Sequence, residues 1–406
     1  MISRLLALLL CACACAPASA EIGTIDNVPA ATLLFPHFEV DTSSEQGVDT
    51  ILTLQNASAT AMLLNVTLWT DLGLPTANFN IYLTGYDAED IALGDLFRRV
   101  LPTTGSAGQD PHDTISPQGP YSQDINFASC NGRLPNYQSG SILSRDIVGA
   151  HSGQASADYF GGLCGSRDLG DGIARGYVTV DTINQCTRAN PTSPGYFADG
   201  IATRQNTMLG DYTIVHPDTG VAFTESAVHI ESSFGNPITD DGVDKQTFYG
   251  RFVGFTAADH REPLPTAWAG RAAADRTTVD YWRDPGVVTA PFACGGLPAG
   301  LPSGQRQALV FTDAGAPTAS PAGDLFPFAS GTVAGGELGV TAPLGWLFAN
   351  LNLPASAPPD ALGGIRQSWL MLRQSPRGYP AGGGMTYSVP GIQLGNAAYD
   401  DSPVIP

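Results

Sequence analysis

The residues with the types and spacing to do chemistry gather between positions 225 and 262. Glu225, His229 and Glu231 share one parity with Ala227, while Val228 and Ile230 take the other. On one uninterrupted strand over 223–232 the first set lines one face and Val228 and Ile230 point into the core. Alternate residues lie about 6.5–7 Å apart. His229 and Glu231 can then share a metal ion, or act as a base and the group that orients it. Zinc would need a further ligand from elsewhere. The competing use is the solvated face of a half-buried sheet.

A second cluster, Asp259-His260-Arg261-Glu262-Pro263, packs opposite charges into a short loop. Arg261 can donate to a polar ligand such as a sugar while Asp259 and Glu262 accept. An ion pair that pins the loop uses the same residues. No cofactor is expected, with calcium the alternative: Asp240-Asp241-Gly242-Val243-Asp244 and Asp168-Leu169-Gly170-Asp171-Gly172 are oxygen-rich, like calcium loops. Neither has EF-hand spacing with a glutamate at the twelfth position, and Asp-Gly also forms turns.

Nucleophilic catalysis finds no support: no Gly-x-Ser-x-Gly elbow occurs. His151 and Ser152 are adjacent, but neighbours on a strand point to opposite faces and make no dyad.

The elements that would position these groups read as strands. In 61–69, Met62, Leu64, Val66 and Leu68 oppose Asn65 and Thr67; in 78–84, Phe79, Ile81 and Leu83 oppose Asn78 and Asn80. That period of two marks strands with one buried face. Trp69 falls on the parity opposite Leu68, where its ring can stand exposed and stack on a sugar or pack against a second sheet. Further strands are expected at 31–41, 50–56, 87–93, 176–182, 210–216, 221–232, 246–253, 307–312, 344–350, 368–373 and 386–394. Pro217-Asp218-Thr219-Gly220 has the chemistry of a hairpin turn. One helical turn is expected near 94–99, and no run of ten residues has helical periodicity. Short strands separated by Gly and Pro clusters predict an all-β protein of β-sandwich-like modules, immunoglobulin-like or related, loop-rich and disulfide-stapled. The expected division is a signal peptide over 1–20, an N-terminal β-sandwich-like module over 21–100, a loop-rich Cys-containing segment over 101–175 and a second β-rich module over 176–406.

Residues 1–20 carry Arg4, an apolar run from Leu5 to Leu10 and Ala18-Ser19-Ala20 before Glu21, the pattern of a secretory signal. Lipoprotein anchoring at the lipobox-like Leu10-Cys11-Ala12-Cys13 is the alternative. No other long apolar run occurs, so no transmembrane span is expected in the mature chain. Beyond the signal stand Cys130, Cys164, Cys186 and Cys294, an even number that favours two disulfides in any of three pairings. The chain carries 19 basic and 38 acidic residues, a net charge of −19. That balance argues against nucleic acid, which demands clustered Lys and Arg.

Several phrases together resemble a group of uncharacterised exported bacterial β-rich proteins: Ala31-Thr-Leu-Leu-Phe-Pro-His-Phe-Glu-Val-Asp41, Asn56-Ala-Ser-Ala59, Tyr82-Leu-Thr-Gly-Tyr-Asp87, Gly210-Asp-Tyr212, Val228-His-Ile-Glu231 and Arg261-Glu-Pro-Leu264. The resemblance implies an exported bacterial β protein and carries over no catalytic residue. The expectation is an exported, non-catalytic surface or extracellular protein with a binding or structural role, its partner a glycan or cell surface. The alternatives are a secreted hydrolase acting on polysaccharide or peptide, and a calcium-stabilised adhesin module.

Overall fold

The computed structural model describes residues 28–102, 145–218, 220–233, 247–254, 258–285, 290–296, 326, 328–341, 345–352 and 366–374, with the backbone alone over 307–312, 317–319, 387–390 and 392–393. The fold is all-β. Helices among the described residues are three short pieces: α1 (Leu93–Phe97), α2 (Ile147–His151) and α3 (Ala157–Phe160).

Two sheets make the first sandwich. One is five-stranded, ordered β4-β3-β6-β1-β9, from β1 (Thr32–Asp41), β3 (Met62–Thr70), β4 (Pro75–Leu83), β6 (Ile173–Ile183) and β9 (Val228–Ile230). The other is ordered β5-β2-β7-β8, from β2 (Asp49–Asn56), β5 (Ala88–Ala92), β7 (Met208–His216) and β8 (Val221–Ser226). All pairings within them are antiparallel. Alternate residues of both sheets, among them Leu33, Phe35, Leu52, Leu54, Leu64, Val66, Phe79, Val178, Val180 and Tyr212, meet in one core. The chain between β7 and β8 turns through Gly220 at φ +67°, a backbone that glycine adopts without strain.

Strands β6 to β9, which follow or straddle the expected boundary at 175, hydrogen-bond into the sheets begun by β1 to β5. The five-stranded sheet is therefore closed only when β6 slots between β1 and β3. Gly176 makes this approach feasible, since a Cβ there would collide with the Trp69 carbonyl oxygen and crowd the Phe38 ring.

The rest of the chain adds two more sheets. One is ordered β13-β12-β15-β10-β18, from β10 (Ala267–Ala272), β12 (Gln307–Thr312), β13 (Pro317–Ala319), β15 (Gly345–Asn350) and β18 (Ile392–Gln393). The other is ordered β14-β11-β16-β17, from β11 (Thr277–Arg283), β14 (Ser330–Ala334), β16 (Ser368–Gln374) and β17 (Tyr387–Pro390). Trp268, Val279, Tyr281, Leu347, Leu370 and Leu372 form their core, and Leu34, Trp69, Tyr177, Val228 and Ile230 from the five-stranded sheet join the same cluster. That sheet is thus buried on both faces, and all nine residues of β3 are buried.

One open alternative is decided here and one expectation is corrected. Trp69 is fully buried, its ring stacked against Tyr177 at 5.6 Å and against Phe252 at 5.5 Å. Residues 248–253, part of the strand expected at 246–253, are a run of turns in which Phe252 and Val253 N–H groups bond back to the Tyr249 carbonyl. The coiling puts Phe248, Tyr249 and Phe252 into one aromatic cluster, which a flat strand would split between two faces.

A disulfide joins Cys164 to Cys294, and paired backbone bonds between Cys164 and Phe292 flank it. Cys186 is also disulfide-bonded. Cys130 lies outside the described residues.

Candidate functional site

The polar chemistry of the chain converges on the outer face of the five-stranded sheet. Thr32 on β1 and Asp181 on β6 are register partners. The Thr32 hydroxyl donates to Asp181 Oδ1 at 2.5 Å, and the Tyr196 and Tyr249 hydroxyls donate to Asp181 Oδ2 at 3.0 and 3.1 Å. Arg261 covers this group. Its Nε donates to Thr32 Oγ1 at 2.5 Å, Nη1 to the Asp259 carbonyl at 2.9 Å and Nη2 to the Thr203 carbonyl at 3.2 Å, with Asp181 Oδ1 3.4 Å from Nη2. Phe197 and Tyr249 place their rings against the guanidinium at 5.2 and 5.8 Å. Asn65 extends the network, donating to Tyr196 Oη and accepting from Asn78 and Asn80.

Arg261, expected at a ligand-facing loop, is therefore fully buried. Burial pushes the Asp181 carboxyl up from the usual aspartate range, while Arg261 and the three hydroxyls pull it down. The Tyr196 and Tyr249 phenols are pushed well up, first by burial and then by the Asp181 carboxylate beside them. Such phenols stay protonated and act as donors. Asp259 is buried too, its Oδ2 accepting from the Tyr249 N–H at 2.7 Å. Burial raises its carboxyl to about 6 against the opposing pull of Thr247, the Tyr249 amide and Arg261.

The Glu225, His229 and Glu231 group is not assembled on one strand face. Strand β8 ends at Ser226 and β9 starts at Val228 in the other sheet, so Glu225 and His229 belong to different sheets. The crossover is Ala227, whose N–H bonds to the Gly210 carbonyl and whose methyl enters the first core. Val228 and Ile230 do turn inward. His229 accepts the Gly210 N–H on Nε2 at 3.2 Å, so its proton sits on Nδ1. Burial raises the Glu225 carboxyl, with the Ser226 amide opposing.

Past β9 the two sequence clusters meet through their backbones. Ser232 pairs with Arg261, the Glu262 N–H bonds to the Glu231 carbonyl and the Ser233 N–H bonds to the His260 carbonyl. Asp240, Asp241 and Asp244 lie outside the described residues. Among the described residues no three His, Cys, Asp or Glu side chains gather as a metal site. Asp168 and Asp171 serve turns: Asp168 accepts from Gly170 N–H, and Asp171 from Ile173 N–H and the Arg175 guanidinium. His151 lies between the Phe38 and Phe97 rings and bonds the Arg175 carbonyl and the Thr76 hydroxyl, while Ser152 donates to the Val148 carbonyl.

Sequence reasoning missed Asp181, Tyr196, Tyr249 and His37. Asp181 alternates with Val178 and Val180 and so resembles a solvated strand position. His37 carries a signal in Phe35-Pro36-His37-Phe38: proline lacks the N–H that a strand ladder uses. The register of β1 against β6 shifts there. The Ser330 hydroxyl donates to the Pro36 carbonyl at 2.8 Å and so accepts from His37 Nδ1 at 3.2 Å. His37 Nε2 lies 3.6 Å from Glu39, which Arg175 also engages at 2.9 Å. Burial would raise the Glu39 carboxyl, but His37 and Arg175 together hold it well below the usual carboxylate range.

No protein-family model and no curated protein matches the chain. Among the described residues no helix is long and apolar enough to cross a membrane.

Proposed function

We propose that this is an exported protein with a non-catalytic, surface-binding or scaffolding role. The observation that supports this reading is the commitment of Arg261. Its donors go to Thr32, Asp259 and Thr203 inside the protein, with Asp181 as its counter-ion. A guanidinium so engaged holds sheets together and has no donor turned toward solvent. Glu225 lies on β8 in one sheet and His229 on β9 in the other, so the single strand face on which the hydrolase alternative was built is not formed. Export is supported by the N-terminal pattern of Arg4, Leu5–Leu10 and Ala18-Ser19-Ala20.

The test is a paired assay on insoluble polysaccharides and bacterial cell envelopes. Co-sedimentation measures binding, and reducing ends and peptides released measure hydrolysis. Binding without release is the expected outcome. Release that Glu225→Gln or Glu231→Gln abolishes would establish the hydrolase instead.

A further inference from the structure

Trp346 is the exposed member of the chain's five tryptophans. It is 41% exposed, against 0% for Trp69, 1% for Trp268, 2% for Trp282 and 4% for Trp369. It lies on β15, directly across from Arg271 on β10. Both strands are interior to their sheet, with neighbours on each side. On β15 the next residue, Leu347, enters the core, so Trp346 stands on the outer face of the sheet. The Arg271 Cζ lies 5.6 Å from the indole centroid. At that distance the guanidinium lies within cation–π range of the indole, and Arg271 itself is exposed.

Arg98, Arg167, Arg175, Arg251 and Arg373 each pair with a carboxylate. Arg271 is exposed and has no carboxylate partner among the described residues, in a chain with twice as many acids as bases. An unpaired guanidinium beside an open indole is complementary to a ligand carrying an anion next to an apolar ring face. A uronic acid joins both in one unit, because its carboxylate is attached to the pyranose ring whose C–H face packs on an indole.

We propose that Trp346 and Arg271 form a binding platform for an acidic glycan, with the indole under a pyranose ring and the guanidinium on its uronate carboxylate. The proposal rests on the surface-binding reading above and gives it a place and a ligand class.

Acrylamide quenching of tryptophan fluorescence reads this site selectively, since the other four indoles are buried. Trigalacturonate should protect the quenchable component saturably, with a Kd on the order of 1 mM for so small a contact. Trp346→Phe should remove that component. Arg271→Ala should weaken protection about tenfold, and Arg271→Lys, which keeps the charge but loses the fork, should weaken it less. Maltotriose and tetraglutamate should not protect. Absence of protection by trigalacturonate, equal protection in Arg271→Ala, or equal protection by tetraglutamate or maltotriose would each overturn the proposal. Co-sedimentation separates the two readings. Binding that survives in the Trp346→Ala/Arg271→Ala double variant refutes this platform and leaves the surface-binding reading standing. A wild-type chain that sediments with no polysaccharide or envelope refutes both.

Discussion

Glu89 sits on β5, an edge strand, on the same parity as the core residue Ile91. Burial, helped by Asp87 and Asp90, raises its carboxyl to about 7. An inward-pointing charge on an edge strand discourages pairing with another chain. It also makes stability pH-dependent. A folded-state value raised above the ordinary 4.5 means that the contribution is fully present below about pH 4.5 and is lost as pH rises through about 7. Glu89→Gln should therefore melt higher than the parent at pH 8, by about 2 °C given the partial exposure, and at the same temperature at pH 4. His151 works in the opposite sense. Burial lowers it from 6.5 to about 4, with only the Arg175 carbonyl opposing. Its contribution is present above pH 6.5 and is lost as pH falls through about 4. His151→Phe should lose about 1–3 kcal/mol at pH 7.5, where Thr76 and the Arg175 carbonyl lose their partner. In urea titrations that gap should narrow as the pH approaches 4.

At the scale of elements, β1 and its break at Pro36-His37 connect the two sandwiches. Ser330, on β14 of the second, serves Pro36 and Gly176 carbonyls and His37 of the first. Ser330→Ala should cost about 1–3 kcal/mol in urea unfolding, because it strands buried polar groups on β1. Ser330→Thr, which keeps the hydroxyl, should cost less. Most strands were legible in the sequence because alternation is local: Met62 to Leu68 and Phe79 to Leu83 enter the first core as their parity predicts. What covers the opposite face is not a local property. Trp69 and Thr179 hydrogen-bond on a buried face that alternation alone reads as solvent-facing. The switch of sheets at Ala227 was equally hidden, since Val221 to Ser232 reads as one continuous strand. Nor did β11 stand out: Thr277 and Asp280 are buried in it, so burial on both faces leaves no polar–apolar period to find.

For the molecule as a whole, the five-stranded sheet is a shared wall with a sandwich core on one side and an aromatic and polar layer on the other. The aromatic part of that layer, Trp69, Tyr177, Phe248 and Trp282, supplies burial. The polar part, Thr32, Asp181, Tyr196, Tyr249 and Arg261, supplies orientation, since each hydrogen bond is satisfied in one placement of the two parts. The Cys164–Cys294 bridge, between residues 130 apart in sequence, ties the helical segment at 145–165 to the loop near Phe292. Among the candidate residues at 259–262, Asp259 and Arg261 are buried in this layer and fasten the wall. The measurement that tests this most directly is urea unfolding and polysaccharide co-sedimentation of the parent, Arg261→Met and Arg261→Met/Asp181→Leu chains. Arg261→Met, which leaves Asp181 buried without its counter-ion, should lose about 3–5 kcal/mol, and the double variant should recover most of that loss, with ligand binding intact. A single variant as stable as the parent that no longer binds would contradict the account and make Arg261 a ligand residue.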